Sequence, residues 1–315
     1  MNEKTRSLEI RLAETEDVPG KLSLYNEITL ELQNTDLPRA ISLCEEAVSL
    51  AQAAYSEDLS LQKEYAESIF TLGMLNAKSG NYIKAVTILF DAVPLFEELG
   101  NVYLHARAIN VIAASNGYLG NYYEAINFFL KALELFKEID NELWEAAVLN
   151  NLGYQYWHIE NYDWALKYLH RSLQQTEKIQ DKNLLGDVHE TLCNVQHSMG
   201  AYDEALSNGM KSLSFYEEIG NKHGQAEVLN SIGDVWTALG DHSQAISYFN
   251  KALQVSREVG HKHEEVETLL SIGRYYARSR QTNVALRALK DALTAAEELG
   301  VKRCIYECHQ EMAGI

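Results

Sequence analysis

Apolar positions along this chain fall at three- and four-residue steps, in runs of about 17 residues separated by short polar turns. Such steps place the apolar side chains on one face of a helix. One run, "NYYEAINFFLKALELF", opens at Asn121. Nearly the same words return forty residues later as "NYDWALKYLHRSLQQT" from Asn161, and stand forty earlier as "NYIKAVTILFDAVPLF" from Asn81. Aligned on this stretch, the chain divides without insertion or deletion into 61–100, 101–140, 141–180, 181–220, 221–260 and 261–300, and a seventh copy begins at Val301. Each copy predicts helix A, a tight turn, helix B and a second turn. In the second copy helix A is expected over 103–119 and helix B over 122–138.

The columns of this alignment have physical roles. Helix B carries Ala85, Ala125, Ala165, Ala205, Ala245 and Ala285 at one position. Twelve residues earlier, helix A carries Gly73, Ala113, Gly153, Cys193, Gly233 and Gly273. Small residues at matched places mark where paired helices cross closely, since bulk there would hold them apart. The turns read "KSGNY", "YLGNY", "IENY", "SMGAY", "LGDH" and "RSRQT", and copies close on "ELGN", "EIGN" or "EVGH". Glycine suits the left-handed residue after a helix, and Asn or Asp suits the N-cap of the next. One helix pair cannot bury its own apolar faces, so the copies must stack.

These columns resemble the tetratricopeptide repeat. The small residue of helix A, the tyrosine after the turn (Tyr82, Tyr122, Tyr162, Tyr202) and the alanine of helix B are similar to that family's signature, as is the later column Ala92, Ala132, Ser172, Ser212, Ala252 and Ala292. The resemblance covers 61–315. A period longer than the usual 34 residues resembles the long-helix variety of LGN/Pins-like scaffolds and of bacterial signalling proteins. It implies an all-α, right-handed superhelical solenoid of antiparallel helix pairs. The expected organisation is an N-terminal segment 1–16, a degenerate helical pair and insertion over 17–60, six repeats over 61–300, and the first helix of a truncated seventh over 301–315. In the degenerate pair "DLPRAISLCEEAVSLA" echoes helix B, but Ala40 lies 45 residues before Ala85, which places a five-residue insertion near 54–60.

Charge narrows the partner. A formal net charge of -18 repels nucleic acid and anionic membranes. There is no apolar stretch of about 18 residues that could span a bilayer, and the N-terminus "MNEKTRSLEIRLAETEDVPG" has no apolar signal core. Cys44 and Cys193 stand alone, and only Cys304 and Cys308 are near one another, a reduced, cytoplasmic pattern.

Catalytic constellations are missing. The chain has no Gly-rich phosphate loop, H-E-x-x-H, G-x-S-x-G or EF-hand loop. Cys304 and Cys308 are one helical turn apart, but no second pair completes a zinc site, so neither metal nor cofactor is expected. "HKHEE" at 261–265 reads as a solvated helix start. His189 and His197 read as groove lining.

The face of helix A turned from its partner remains for a ligand. In the family resembled, it lines a concave groove that takes extended segments. Three columns there read Phe70, Asn110, Asn150, Glu190, Asn230, Leu270; then Met74, Ala114, Tyr154, Asn194, Asp234, Arg274; then Ala77, Gly117, Trp157, His197, Thr237, Ala277. An asparagine amide offers donor and acceptor together, which suits an extended backbone. Tyr154 and Trp157 offer anchors. A further column supplies Glu67, Arg107, Asp187, Glu227 and Glu267, so copies four to six hold five acids against Arg274. The expected groove residues are Arg107, Asn110, Asn150, Tyr154, Trp157, Asp187, Glu190, Asn194, His197, Glu227, Asn230 and Asp234. Phe70, Met74, Asn110 and Ala114 stand where the chaperone-binding subgroup has its Lys, Asn and Arg carboxylate clamp, so that subgroup's partner is not carried over.

The chain thus reads as a non-enzymatic module that binds a protein or peptide segment of cationic or mixed cationic–apolar character, as the regulatory or sensory part of a larger bacterial signalling protein. A small-molecule or pheromone-peptide sensor, and a scaffold that forms a homodimer through its end helices, are the alternatives.

Overall fold

The computed structural model describes residues 3–33, 35–260, 262–299 and 301–315. The turn signal at His261, the end of the sixth copy at Gly300 and the first two residues of the N-terminal segment lie outside them. Among the described residues the regular structure is helical, without a strand. The chain forms two compact units, Met1–Glu160 and Asn161–Ile315.

The first unit contains α1 (Glu3–Glu14), α2 (Val18–Leu32), α3 (Leu37–Glu57), α4 (Gln62–Lys78), α5 (Tyr82–Glu98), α6 (Val102–Tyr118), α7 (Tyr122–Glu138) and α8 (Glu142–His158). The second contains α9 (Tyr162–Ile179), α10 (Lys182–Ser198), α11 (Tyr202–Ile219), α12 (Lys222–Leu239), α13 (His242–Val259), α14 (Lys262–Arg278), α15 (Thr282–Leu299) and α16 (Lys302–Ala313). In each unit consecutive helices pack on one another, as the forty-residue period requires. Helices α6 and α7 lie within one residue of the expected bounds.

Two features depart from the even period. The N-terminal segment is itself a helix, because Leu8 and Leu12 fall one turn apart and join Leu24, Ile28 and Leu32 in a core cluster. Helix α3 runs 21 residues against 17 in α5, and a short 3-10 turn over Leu59–Leu61 follows it. The extra residues before the regular array are absorbed as one more helical turn and that 3-10 turn.

The alanine column is fully buried from Ala85 to Ala285. The side chain that fills the space opposite the helix A glycine comes from one turn later. A Cβ added at Gly73 would meet Leu89 at 2.5 Å, and one at Gly233 would meet Phe249 at 2.5 Å. Turn geometry outlasts the glycine that favours it. Glu160 and Arg280 both take the left-handed conformation, with φ of 59° each, where other copies place glycine. Asn101, Asn141, Asp181 and Asn221 cap the following helices through their side chains. Asn81 and Asn121 instead bond Ser79 and Asn116, respectively.

Pro94 lies inside α5, on an exposed position, and the helix continues through it. Its ring removes one backbone donor and crowds the carbonyl of Phe90. Pro94→Ala is expected to raise unfolding free energy by about 1–3 kcal/mol, measured by urea titration. An unchanged midpoint would show that the helix has already relaxed around the ring.

Candidate functional site

In the first unit the expected residues meet on α6 and α8. Asn110 and Asn150 are 9% and 8% exposed, and the side-chain carbonyl oxygen of each is buried without a hydrogen-bond partner among the described residues. Backbone bonding within α6 and α8 is already complete at these positions, so the buried carbonyl oxygens have nowhere to turn. A polar group left this way costs about 1–3 kcal/mol. One turn from Asn110, the Arg107 guanidinium lies over the rings of Phe70 (5.2 Å), Trp144 (5.1 Å) and Tyr103 (5.8 Å). Its Nη2 donates to the Met74 sulfur at 3.5 Å, while Nε is buried without a partner. In a protein of net charge -18, this guanidinium has no carboxylate within ion-pair distance among the described residues. On α8, Tyr154 meets Trp157 edge-on at 5.5 Å, and His158 lies 4.6 Å from the Tyr154 ring. Tyr154 is exposed and Trp157 partly so, which leaves an aromatic surface beside the amides. Phe70 and Leu270, in the same column as the asparagines, are core residues instead, so the column is not a continuous polar ladder.

In the second unit the expected residues separate into two groups. Asp187 and Glu190 of α10 converge on the Tyr216 hydroxyl of α11, which lies 2.7 Å from Asp187 Oδ1 and 3.0 Å from Glu190 Oε2. Tyr216 reaches this place because glycines line its path. A Cβ on Gly186 or Gly224 would come within 2.5 Å of its ring. Glu227 of α12 faces the same carboxyls and holds His223 at 3.4 Å. Burial raises Asp187 to about 6, with the Glu227 charge adding to it and the Tyr216 hydrogen bond opposing it. Glu190 is raised well above the usual carboxylate range by burial and by the charges of Glu227 and Asp187.

The second group borders a cavity of roughly 360 Å³ between α10, α12, α14 and α16, lined by His197, Asp234, Thr237, Tyr275, Arg278 and Glu311 among others. Burial pushes Asp234 up to about 7 although Arg274 and Arg278 pull it down. Burial lowers the pKa of His197, and the charge of Arg278 lowers it further. Asn194 is half-buried. Asn230 donates weakly to Ser271 Oγ at 3.4 Å, and its carbonyl oxygen is buried without a partner.

Three readings of the sequence need correction. His189 does not line the groove: its Nδ1 lies 2.7 Å from Asn208 Oδ1 and its ring stacks on Phe215, so it ties α10 to α11. The charges of copies four to six are less one-sided than counting suggested. Arg303 takes Glu267, and Arg274 bonds Glu307 at 2.9 Å and Glu311 at 3.0 Å. The helix start at 262–265 is not a solvated turn, because Glu264 is only 6% exposed. Burial, with Glu227 and Glu267 adding, raises it to about 8. Glu264 and Tyr216 were not singled out from the sequence. A signal existed for both: Glu264 follows Leu104, Trp144, Leu184 and Gly224 in a mostly apolar column, and Tyr216 brings a hydroxyl into the buried column of Phe96 and Phe136.

His263, Glu267 and Cys304 bring one donor atom each within 4.8 Å of one another. We assign no metal there, since the Glu267 carboxylate is already held by Arg303 and accepts from the Cys304 thiol. Burial pushes that thiol above its ordinary range. No described helix is long and apolar enough to cross a membrane.

The family profile described as "Tetratricopeptide repeat" matches residues 104–178, 144–218, 184–257 and 224–298 in overlapping registers. No curated protein sequence matches the chain. Among solved structures, the apo form of RapI superposes with a TM-score of 0.72 at 18% identity, covering 89% of this chain and 99% of that one. NprR in complex with its cognate peptide NprX gives a TM-score of 0.67 at 16% identity, covering 93% and 86%. A signal transduction ATPase with numerous domains and a tetratricopeptide repeat sensor, from Pyrococcus horikoshii, gives 0.63 at 18% identity, covering 92% of this chain and 42% of that one. At these identities the likeness concerns the fold.

Proposed function

The chain belongs to the tetratricopeptide repeat family, and on that premise we propose that it binds an extended peptide or protein segment and has no chemistry of its own. The observation that carries this is the pair of buried, unpartnered amides at Asn110 and Asn150. An asparagine amide can both donate to and accept from a main chain laid across α6 and α8, once the segment draws its buried carbonyl out of the seam. Tyr154 and Trp157 anchor the segment's apolar side chains, and Arg107 stands ready for a carbonyl or carboxylate. The acids of the second unit favour a cationic or mixed cationic–apolar segment there.

The role is regulatory or sensory. In support, NprR was solved with its cognate peptide and the archaeal ATPase carries its repeats as a sensor. A reduced, cytoplasmic setting belongs to this reading, since all four cysteines are buried and unpaired.

The test begins with peptides selected from a library on the immobilised protein. A double variant, Asn110→Leu/Asn150→Leu, should lose at least a hundredfold in affinity for them while unfolding no more easily than wild type, because leucine removes two unsatisfied buried amides. Trp157→Ala should mainly speed dissociation, at about 2 kcal/mol if the indole is covered. Undiminished binding by the folded double variant would end the reading.

A further inference from the structure

Within the second unit, Asp187, Glu190, Glu227 and Glu264 bring carboxyl groups from α10, α12 and α14 into one neighbourhood. The basic residues around them are engaged elsewhere. Arg257 and Lys262 hold Glu265, Arg303 holds Glu267, and Lys182 holds Glu218. Among the described residues, the base in contact is His223 of α12, half-exposed and 3.4 Å from Glu227. His263, on the outer side of α14, approaches Glu267 rather than the pocket, and Asp181 at the head of α10 adds another negative charge near Asp187.

Acids that crowd together could simply be a solvated face. Two details set this cluster apart. Glu264 is 6% exposed, yet its carboxyl makes neither a hydrogen bond nor an ion pair among the described residues. The Tyr216 hydroxyl, inside the pocket, lies within hydrogen-bond distance of both Asp187 and Glu190. One O–H can donate to only one of them. The other approach is a hydrogen bond only if that carboxyl carries a proton and donates it to the phenol oxygen. The two approaches fit a proton held on one of these two carboxyls, and Glu264 has no hydrogen-bond or ion-pair partner among the described residues.

We propose that this pocket receives the ammonium or guanidinium group of a bound segment and takes the cation up in exchange for protons. The inference rests on the peptide-binding reading and names the chemistry of one anchor. A cation entering here gains charge-assisted bonds to Glu190 and Glu264 as carboxylates, and each carboxyl that ionises releases its proton to solvent. Tyr216 then donates to whichever neighbouring carboxylate the cation leaves uncovered. Gly186 and Gly224 are part of the device, because a side chain at either would displace the tyrosine ring.

Calorimetric titration of wild type with trilysine, in phosphate and in Tris at pH 7, tests the exchange. The enthalpies should differ by the buffers' ionisation heats times about one to two protons released per trilysine, one for each of Glu190 and Glu264 that ionises. Affinity should rise between pH 6 and 8, up to tenfold per pH unit for each proton released, and triglutamate should not bind. Glu264→Gln should cut affinity about tenfold and reduce the proton release, whereas His223→Gln should leave the release unchanged. Buffer-independent heat, no binding of trilysine at pH 8, wild-type behaviour of both Glu264→Gln and Glu190→Gln, or loss of the release in His223→Gln would each overturn the proposal. Library-selected peptides separate it from the broader reading. If replacing their lysines by norleucine and arginines by citrulline leaves binding intact and independent of pH, the pocket fails while peptide binding stands. If the Asn110→Leu/Asn150→Leu variant binds those peptides normally yet still releases protons to trilysine, the broader reading fails and the pocket stands.

Discussion

The second unit should unfold more easily as the pH rises from 5.5 to 8.5, the reverse of the usual behaviour of an acidic protein approaching neutrality. The cause is the set of raised carboxyls: Asp187 at about 6, Asp234 at about 7, Glu264 at about 8, and Glu190 well above the ordinary range. In the unfolded chain all four titrate near pH 4. The folded state therefore binds more protons than the unfolded state between those values, and unfolding free energy falls as pH increases. The contribution is complete below about pH 4 and is lost through the window from 6 to 8 and above. Glu264, moved from 4.5 to about 8 and almost fully buried, contributes on the order of 4 kcal/mol of this loss by itself. His223, raised by its bond to Glu227, acts in the same direction. His189 and His197, both lowered by burial, oppose it only at the acid end, where the folded state must keep them neutral. Urea titrations at pH 5.5, 7.0 and 8.5, read by amide exchange in α10, α12 and α14, would measure it. Glu264→Gln should flatten the curve and make the variant more stable than wild type at pH 8.5. A stability that climbs steadily to pH 8.5 would mean that these acids are solvated and ionised in the folded state.

Ala205→Leu should cost about 1–3 kcal/mol through overpacking. Ala205 is fully buried in α11, in one cluster with Cys193 of α10 and Val235 of α12. One turn on, a Cβ at Gly209 would already come within 2.8 Å of Ile232 and 3.2 Å of the Cys193 sulfur. The surrounding seam therefore has no slack to take three more carbons, and the α10–α11 pair must spread. Spreading would also move Tyr216, so the variant should lose the pocket's proton release along with stability. Ser207→Leu, two residues away on the exposed side of the same helix, should change stability by less than about 0.5 kcal/mol. Equal losses at both positions in a denaturant titration would place the helix face wrongly.

The repeat, its register and its helix bounds could be read directly, because they follow from local rules repeated six times. Leucine and isoleucine at helical steps, an alanine every forty residues and capping asparagines each act within a few residues of themselves. The copies also check one another, so a helix end is legible even at Glu160 and Arg280, where the glycine is missing. The amides of Asn110 and Asn150 were legible as site candidates for the same reason: a polar residue recurring in one column of helix A has no local explanation. That their carbonyls would be buried and unpartnered was not, since it depends on how closely neighbouring helices cover them.

What the sequence by itself determined is the architecture of helix pairs. The tertiary structure alone decided how charge is distributed there. Counting acids column by column treats each as independent, but Glu267 is taken by Arg303 from a helix 36 residues away, and His189 is taken by Asn208 of α11. Glu264 sits at a helix start that looks solvated in one dimension, yet the fold leaves it only 6% exposed. Tyr216 belongs to helix B and enters a helix A pocket through the gap left by Gly186 and Gly224. Ionisation depends on burial and on neighbours brought from distant copies, and neither quantity is written in the order of the residues.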